Sequence, residues 1–152
     1  MRISAKISLR PELTLWNRSN LSNVASLLWH AYAALPAPSS SVNWAGFYIR
    51  RDKFPSSNAS STETGTAPVT NTLWLGPFQG RPACQEIRFG RGVCGAAAEK
   101  RETVVVPDVL EFPGHIACDA SSRSEIVVPI LVNGEVSYLC FYFLFSLHFA
   151  GK

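Results

Sequence analysis

Apolar residues recur at helical spacing between positions 21 and 35, and this periodicity predicts an amphipathic helix. The apolar positions are Leu21, Val24, Leu27, Leu28, Ala31 and Leu35. Asn20 stands where an N-cap residue would accept a hydrogen bond from the first turn, and Pro36 and Pro38 cannot continue a helix. We therefore expect one long helix over 21–35.

Further along the chain, runs rich in β-branched and aromatic residues predict strands. The runs are 43–50, 72–75, 85–89, 103–106 and 125–132. An Ala-rich run over 96–100 predicts a short helix, whereas 76–82 and 107–124 are expected to be loops. Asn133-Gly134 predicts a tight hairpin turn. This order indicates an α+β domain with a central, mostly antiparallel sheet flanked by helices.

Two segments depart from this pattern. Residues 54–71 are mostly Ser, Thr, Ala and Pro with a single acid, Glu63, so we interpret them as a flexible surface insertion. Residues 137–152 form an atypical tail that begins with a strongly aromatic run and carries no acid. The run is too short for a comfortable membrane span, and because it is apolar on both faces it would suit only a strand buried on both sides.

Composition narrows the class of protein. The chain has 152 residues, which fits one domain over 1–152, and 47% hydrophobic against 16% charged residues excludes a disordered chain. The net charge of +3 comes from scattered basic residues, so we expect no nucleic-acid partner. The N-terminus lacks the apolar run of a secretory signal, so we expect a cytoplasmic protein, with a short basic targeting segment as the less favoured alternative.

Four cysteines in a chain without an export signal indicate reduced thiols, metal ligands or redox catalysis. Cys118 lies in a predicted loop between a Pro-Gly turn and an acid, where reactive groups are common. Cys94 precedes the Ala-rich helix, whose dipole would favour its thiolate, although packing beneath the helix is an equal alternative. A zinc site using Cys84, Cys94, His115 and Cys118 is less favoured because the spacing lacks paired ligands.

Several longer motifs, in order, resemble the free methionine-R-sulfoxide reductases, which are enzymes with the GAF fold. The motifs are 43–48 (NWAGFY), 75–80 (LGPFQG), 83–84 (AC), 89–95 (FGRGVCG), 106–109 (VPDV), 112–119 (FPGHIACD) and 122–129 (SRSEIVVP). The resemblance covers residues 20–136 apart from the insertion. It implies a GAF-like domain that reduces the R epimer of free methionine sulfoxide.

The resemblance also implies roles for three cysteines. Cys118 matches the catalytic thiol, which attacks the sulfoxide sulfur and becomes a sulfenic acid. Cys84 matches the resolving thiol, and Cys94 matches an additional or alternative disulfide partner. The resulting disulfide would be reset by thioredoxin as an external reductant, with no bound cofactor. Cys140 matches nothing in the family pattern.

Three further residues match substrate-binding positions of the same family. Glu125 would bind or protonate the substrate; read without the family, it is a strand-edge carboxylate paired with Arg123. Trp44 and Tyr48 would contact the methyl-thioether end of the substrate, the alternative being that they are core aromatics of a strand. A homodimer is compatible with this pattern. The alternative function is a GAF module that binds a small ligand without chemistry.

The chain departs from the family after Val136. The family continues there with a strand that ends in an Asp-Ile-Asp-Ser element and then a C-terminal helix, and its aspartates help to hold the ammonium of the substrate. No acid follows Glu135 here. We therefore expect weak or no activity from this chain, and a translated intron would explain the change of composition.

Overall fold

The computed structural model describes residues 15–54 and 71–145. Residues 55–70, the bulk of the proposed insertion, and 146–152, the end of the atypical tail, lie outside the described residues. The elements are α1 (Leu15–Ala33), β1 (Val42–Arg50), β2 (Thr72–Gly80), β3 (Glu86–Arg88), α2 (Gly92–Lys100), β4 (Val104–Val106), β5 (Ser122–Val132) and β6 (Glu135–Phe145).

The six strands form one sheet in the order β3-β2-β1-β6-β5-β4, and every neighbouring pair is antiparallel. The helix α1 packs against β1 and β2, whereas α2 packs against β3, β4, β5 and β6. The predicted α+β class with an antiparallel sheet and flanking helices is therefore confirmed. None of the described helices is long and apolar enough to cross a membrane.

The aromatic tail forms β6, which occupies a central position between β1 and β5. Leu139 and Phe141 have no exposed surface, and Tyr138 and Cys140, which alternate with them, are partly buried. The run therefore forms an inner strand of the sheet, and its side chains are buried or partly buried on both faces from Tyr138 to Phe141. Asn133 and Gly134 both have positive φ, of 53° and 77°, so the predicted hairpin turn joins β5 to β6.

The predicted helix was placed too late, because α1 already begins at Leu15 and Asn20 lies inside it rather than at its cap. Its buried face was also predicted wrongly. Ala25 is fully buried, whereas Leu27, in the predicted apolar stripe, is 69% exposed. The helix thus meets the sheet partly through a small side chain, which apolar periodicity does not reveal.

The predicted loop over 76–82 was wrong, since β2 continues to Gly80. A bulge between Gly46 and Tyr48 interrupts the pairing of β1 with β2. At Gly46 a Cβ atom would collide with the side chain and backbone of Phe78. The absence of a side chain at Gly46 therefore allows the two strands to approach and brings Phe78 to the ring of Trp44 at 4.9 Å between centroids.

The loop between β4 and β5 crosses the α2 side of the sheet and contains a short 3-10 turn, Val109–Glu111. It is shorter than predicted because β5 begins at Ser122 rather than at residue 125. The loop returns to the sheet near Asp119, which anchors its end by accepting a hydrogen bond from Asn43 on β1. This anchoring fixes Cys118 above the strands.

Candidate functional site

A disulfide joins Cys84 to Cys118 across 34 positions of sequence, with their Cα atoms 5.4 Å apart. Cys84 lies in the loop between β2 and β3, and Cys118 lies in the loop between β4 and β5. Both residues are partly exposed. Two loops that the sequence places far apart therefore bring two sulfurs to bonding distance at one end of the sheet.

Two aromatic side chains of β1 form hydrogen bonds to the loop that carries Cys84. Trp44 Nε1 donates a hydrogen bond to the carbonyl of Arg81 at 2.5 Å, and the Tyr48 hydroxyl donates to the carbonyl of Cys84 at 2.7 Å. Burial raises the pKa of Tyr48, with smaller contributions from the nearby Cys94 and Glu125, so its hydroxyl remains a donor. These bonds hold the loop that carries Cys84.

Trp44 and Tyr48 also form one wall of a pocket beside the disulfide. The pocket is lined by Trp44, Tyr48, Pro82, Ala83, Cys118, Asp119 and Ser122. Phe141 of β6 stacks on Trp44 with 3.7 Å between ring centroids, so the atypical tail helps to build the pocket wall. Both aromatics are almost fully buried and belong to the core, so the core interpretation is confirmed, while their contact with the substrate stays a prediction.

Cys118 also lines a second pocket. It is lined by Ile87, Arg91, Gly92, Val93, Cys94, Ile116, Cys118 and Glu125. Glu125, on β5, is only 3% exposed, and burial raises its pKa to about 8, so the carboxyl is mostly protonated at neutral pH. Glu125 can therefore act as an acid beside Cys118.

Cys94 is a free thiol in the first turn of α2 and donates a hydrogen bond to Glu125 Oε1 at 3.3 Å. Burial raises the pKa of Cys94 well above its usual value, and the neighbouring Glu125 raises it further. The expectation of a thiolate favoured by the helix dipole is therefore wrong for this state of the protein. Cys94 packs beneath the helix, as the alternative interpretation had it.

The interpretation of Glu125 as a partner of Arg123 is also wrong. Arg123 pairs instead with Asp108 at 3.3 Å, and both side chains are exposed. Arg123 and Glu125 are two residues apart on β5, with a register shift between Ser122 and Ser124. Glu125 lies instead beside the Cys94 thiol and the His115 imidazole.

The imidazole belongs to His115, whose Nε2 lies 4.0 Å from Glu125 Oε2. This nitrogen is buried and has no hydrogen-bond partner among the described residues. Burial lowers the pKa of His115, so the ring is neutral near pH 7. Sequence reasoning considered His115 only as a zinc ligand; its place in the same motif as Cys118 was the available signal.

Asp119 was also missed, although it follows Cys118 directly. It accepts hydrogen bonds from the Ser121 hydroxyl and amide and from Asn43 Nδ2, and Arg81 lies 3.6 Å away. The bonds from Ser121 are the main cause of its lowered pKa, so the carboxylate is ionised. The aromatic pocket therefore contains a negative charge.

The four candidate zinc ligands are not arranged as a metal site in this structure. Two of its four candidate ligands, Cys84 and Cys118, are bonded to each other. Within residues 15–54 and 71–145, no group of three or more His, Cys, Asp and Glu side chains is placed to hold a metal ion. The fourth cysteine, Cys140, takes part in no disulfide and lies on β6.

Comparisons with known proteins agree with this architecture. A model of the GAF domain family matches residues 25–142. A solved structure of a GAF domain superposes with a TM-score of 0.70 at 47% identity, over 86% of this chain and 64% of that one. The expected GAF fold is therefore confirmed.

The curated relatives include free methionine-R-sulfoxide reductases. The protein from Saccharomyces cerevisiae is 53% identical over 114 residues, which are 75% of this chain and 53% of the relative. The protein from Escherichia coli is 39% identical over 118 residues, or 78% of this chain and 56% of the relative. This chain thus spans about half the length of the curated relatives it matches.

A solved free methionine-R-sulfoxide reductase from Neisseria meningitidis, in complex with its substrate, superposes with a TM-score of 0.63. It is 38% identical, and the match covers 85% of this chain and 65% of that one. The resemblance inferred from the motifs is confirmed by these similarities.

Proposed function

The chain belongs to the GAF domain family, and we propose that it carries the catalytic thiols of an enzyme that reduces free methionine-R-sulfoxide to methionine. The observation that carries the proposal is the Cys84–Cys118 disulfide, formed beside a buried carboxyl that is protonated at neutral pH. A module that only binds a ligand requires neither of these features. The similarity to reductases from yeast and from Escherichia coli supports the same conclusion.

In the first step the Cys118 thiolate attacks the electrophilic sulfur of the sulfoxide. The sulfoxide oxygen is a poor leaving group unless it receives a proton, and Glu125 supplies that proton as a general acid. The oxygen moves to Cys118 as a sulfenic acid, and methionine leaves with the electron pair that formed the bond to oxygen. A carboxyl with a pKa of about 8 suits this role because it retains its proton at neutral pH.

In the second step the Cys84 thiol condenses with the Cys118 sulfenic acid, releases water and forms the disulfide. Cys84 fits the resolving role because its Cα lies 5.4 Å from that of Cys118. Cys94 remains a reduced thiol against Glu125 in this state. An external dithiol then resets the disulfide by exchange, and we assign that role to thioredoxin.

The pocket beside Trp44 suits the substrate. Its aromatic wall, formed by Trp44 and Tyr48, can contact the methyl group and sulfur of methionine sulfoxide. Phe78 and Phe141 stack on Trp44 and hold its ring in place. The ionised Asp119 in the same pocket can pair with the substrate ammonium. The homodimer and the cytoplasmic location stay predictions.

The apolar composition of β6 is the reason to expect low activity. The strand β6 carries apolar and aromatic residues where the family pattern implies an acidic element, and it contains no carboxylate after Glu135. Asp119 therefore becomes the main candidate for holding the ammonium. We expect measurable but weak turnover with a high KM.

Methionine release from free methionine-R-sulfoxide tests the proposal, with dithiothreitol and then thioredoxin as reductant. Turnover should depend on Cys118 and be abolished by Cys118→Ser, while Cys140→Ser, which removes the thiol that matches nothing in the family, should leave it unchanged. With Cys84→Ser, mass spectrometry should find Cys118 oxidised without a bridge to residue 84. A wild-type protein whose Cys118 stays unmodified by the substrate contradicts the assignment, and retained ligand binding would then favour the non-catalytic module.

A further inference from the structure

His115 lies between the buried carboxyl of Glu125 and solvent. Its Nε2 is inaccessible and faces Glu125 Oε2 at 4.0 Å, yet 12% of the His115 side chain is exposed. The buried nitrogen has no hydrogen-bond partner within the described part of the chain. A buried polar atom without a partner is uncommon and calls for a reason.

The proposed reaction gives a reason for the unpaired Nε2 of His115. Glu125 loses a proton to the sulfoxide oxygen in each turnover and must regain one before the next. Cys118 has released a proton to solvent on becoming a thiolate, so the balance closes if that proton returns to Glu125. Overall, two thiols and one sulfoxide become one disulfide, methionine and water. A carboxylate that is 3% exposed needs a path for this return.

We propose that His115 is this path, relaying protons from solvent to Glu125, and this inference rests on the proposed reductase function. The neutral ring donates its Nε2 proton to the Glu125 carboxylate while Nδ1 takes a proton from the solvent side. A half-turn of the ring, with proton exchange with water at the outer nitrogen, then restores an N–H facing Glu125 before the next turnover. The 4.0 Å separation closes through one water or a small rotation of the ring, as catalytic hydrogen bonds often tighten with substrate bound. His115 does not touch the reacting atoms; it acts through Glu125.

The other polar groups around Glu125 are poorer proton sources. Cys94 from α2 donates to Oε1, and the pKa values of both Cys94 and Tyr48 from β1 are raised by burial. Arg91, across the pocket, does not release protons in proteins. The pKa of His115 is lowered, which keeps the ring neutral as a relay requires.

Two variants separate a relay from a structural role. His115→Gln keeps a donor of similar reach but cannot pass a proton, so kcat at saturating substrate and reductant should fall about tenfold or more, increasingly as pH rises. His115→Ala should lower kcat by a similar factor, and added imidazole should restore part of the lost kcat. The exposed His30 of α1 provides the matched control, His30→Gln, which should behave as the wild type does. Full activity of His115→Gln with an unchanged pH profile overturns the relay.

An assay without turnover keeps this inference separate from the reductase proposal. If the wild type does not reduce the sulfoxide, the proposed function fails, but the protonation rate of Glu125 can still be followed by infrared spectroscopy after a pH jump, with Glu125→Gln identifying the band. His115→Gln should slow that protonation about tenfold or more relative to the wild type. Equal rates in the two proteins overturn the inference regardless of activity.

Discussion

Cys94 Sγ donates a hydrogen bond to Glu125 Oε1 over 3.3 Å, and both side chains are almost fully buried. This contact ties the first turn of α2 to the middle of β5 directly beside the disulfide. Burial is the first cause of the raised pKa in both groups, and each is more stable in its neutral form. The Glu125 carboxyl therefore keeps its proton next to the proposed nucleophile, Cys118.

The first prediction concerns pH. Glu125 acts in its protonated form and its pKa is about 8, so wild-type kcat should be highest below that pH and fall as pH rises through it. Glu125→Gln should lower kcat about 10²- to 10⁴-fold, the usual contribution of a general acid. The exposed Glu102→Gln is the control. Initial rates of methionine release across the pH range measure both effects; a flat wild-type profile contradicts the role of Glu125.

The second prediction concerns the substrate ammonium. Asp119→Asn keeps an acceptor for Ser121 but removes the negative charge, so KM should rise about 10- to 100-fold, as for the loss of a charged hydrogen bond. The effect on kcat should be smaller. Asp108→Asn, whose carboxylate pairs with Arg123 outside the pocket, is the matched control. Steady-state kinetics measure KM and kcat for each variant. An unchanged KM in Asp119→Asn rules out the contact between Asp119 and the substrate ammonium.

The third prediction concerns the tail. Phe141 is fully buried on β6 and stacks on Trp44, so Phe141→Ala should lower the free energy of unfolding by about 3–5 kcal/mol. Leu110→Ala, at a side chain 71% exposed, should cost less than about 0.5 kcal/mol. Urea denaturation followed by fluorescence measures both. A loss below about 1 kcal/mol for Phe141→Ala would mean that β6 is not an integral strand of the sheet.

The fourth prediction concerns the disulfide as a stabiliser. Closing a loop of 34 residues lowers the entropy of the unfolded chain, which corresponds to about 3–4 kcal/mol in the chain-entropy description. Reduction should therefore lower Tm by roughly 10 °C. Scanning calorimetry with and without dithiothreitol measures this change, and Cys84→Ser should be insensitive to the reductant. Equal midpoints for oxidised and reduced wild type would show that the bond has no net effect.

Much of the fold could be predicted from the conformational preferences of short segments of the sequence. Asn-Gly at 133–134 predicts a hairpin because both residues tolerate positive φ. The aromatic run after it is apolar on both faces, which favours a strand buried on both sides. The strand over 43–50 was also predicted nearly to the residue. The start of α1 was not predicted. The extension of β2 was not predicted either, because Gly76 and Pro77 are typical of loops when their neighbours across the sheet are unknown.

The sequence by itself determined the order of elements and the candidate thiols Cys94 and Cys118, because periodicity and local context are properties of short segments. Cys84 and Glu125 became candidates through the resemblance of their motifs to the free methionine-R-sulfoxide reductases. Only the tertiary structure decided which two sulfurs meet, that Cys94 is held as a neutral thiol, and that His115 and Asp119 belong to the site. Bond formation and pKa values depend on distances and burial, and these exist only once distant loops have packed onto the sheet.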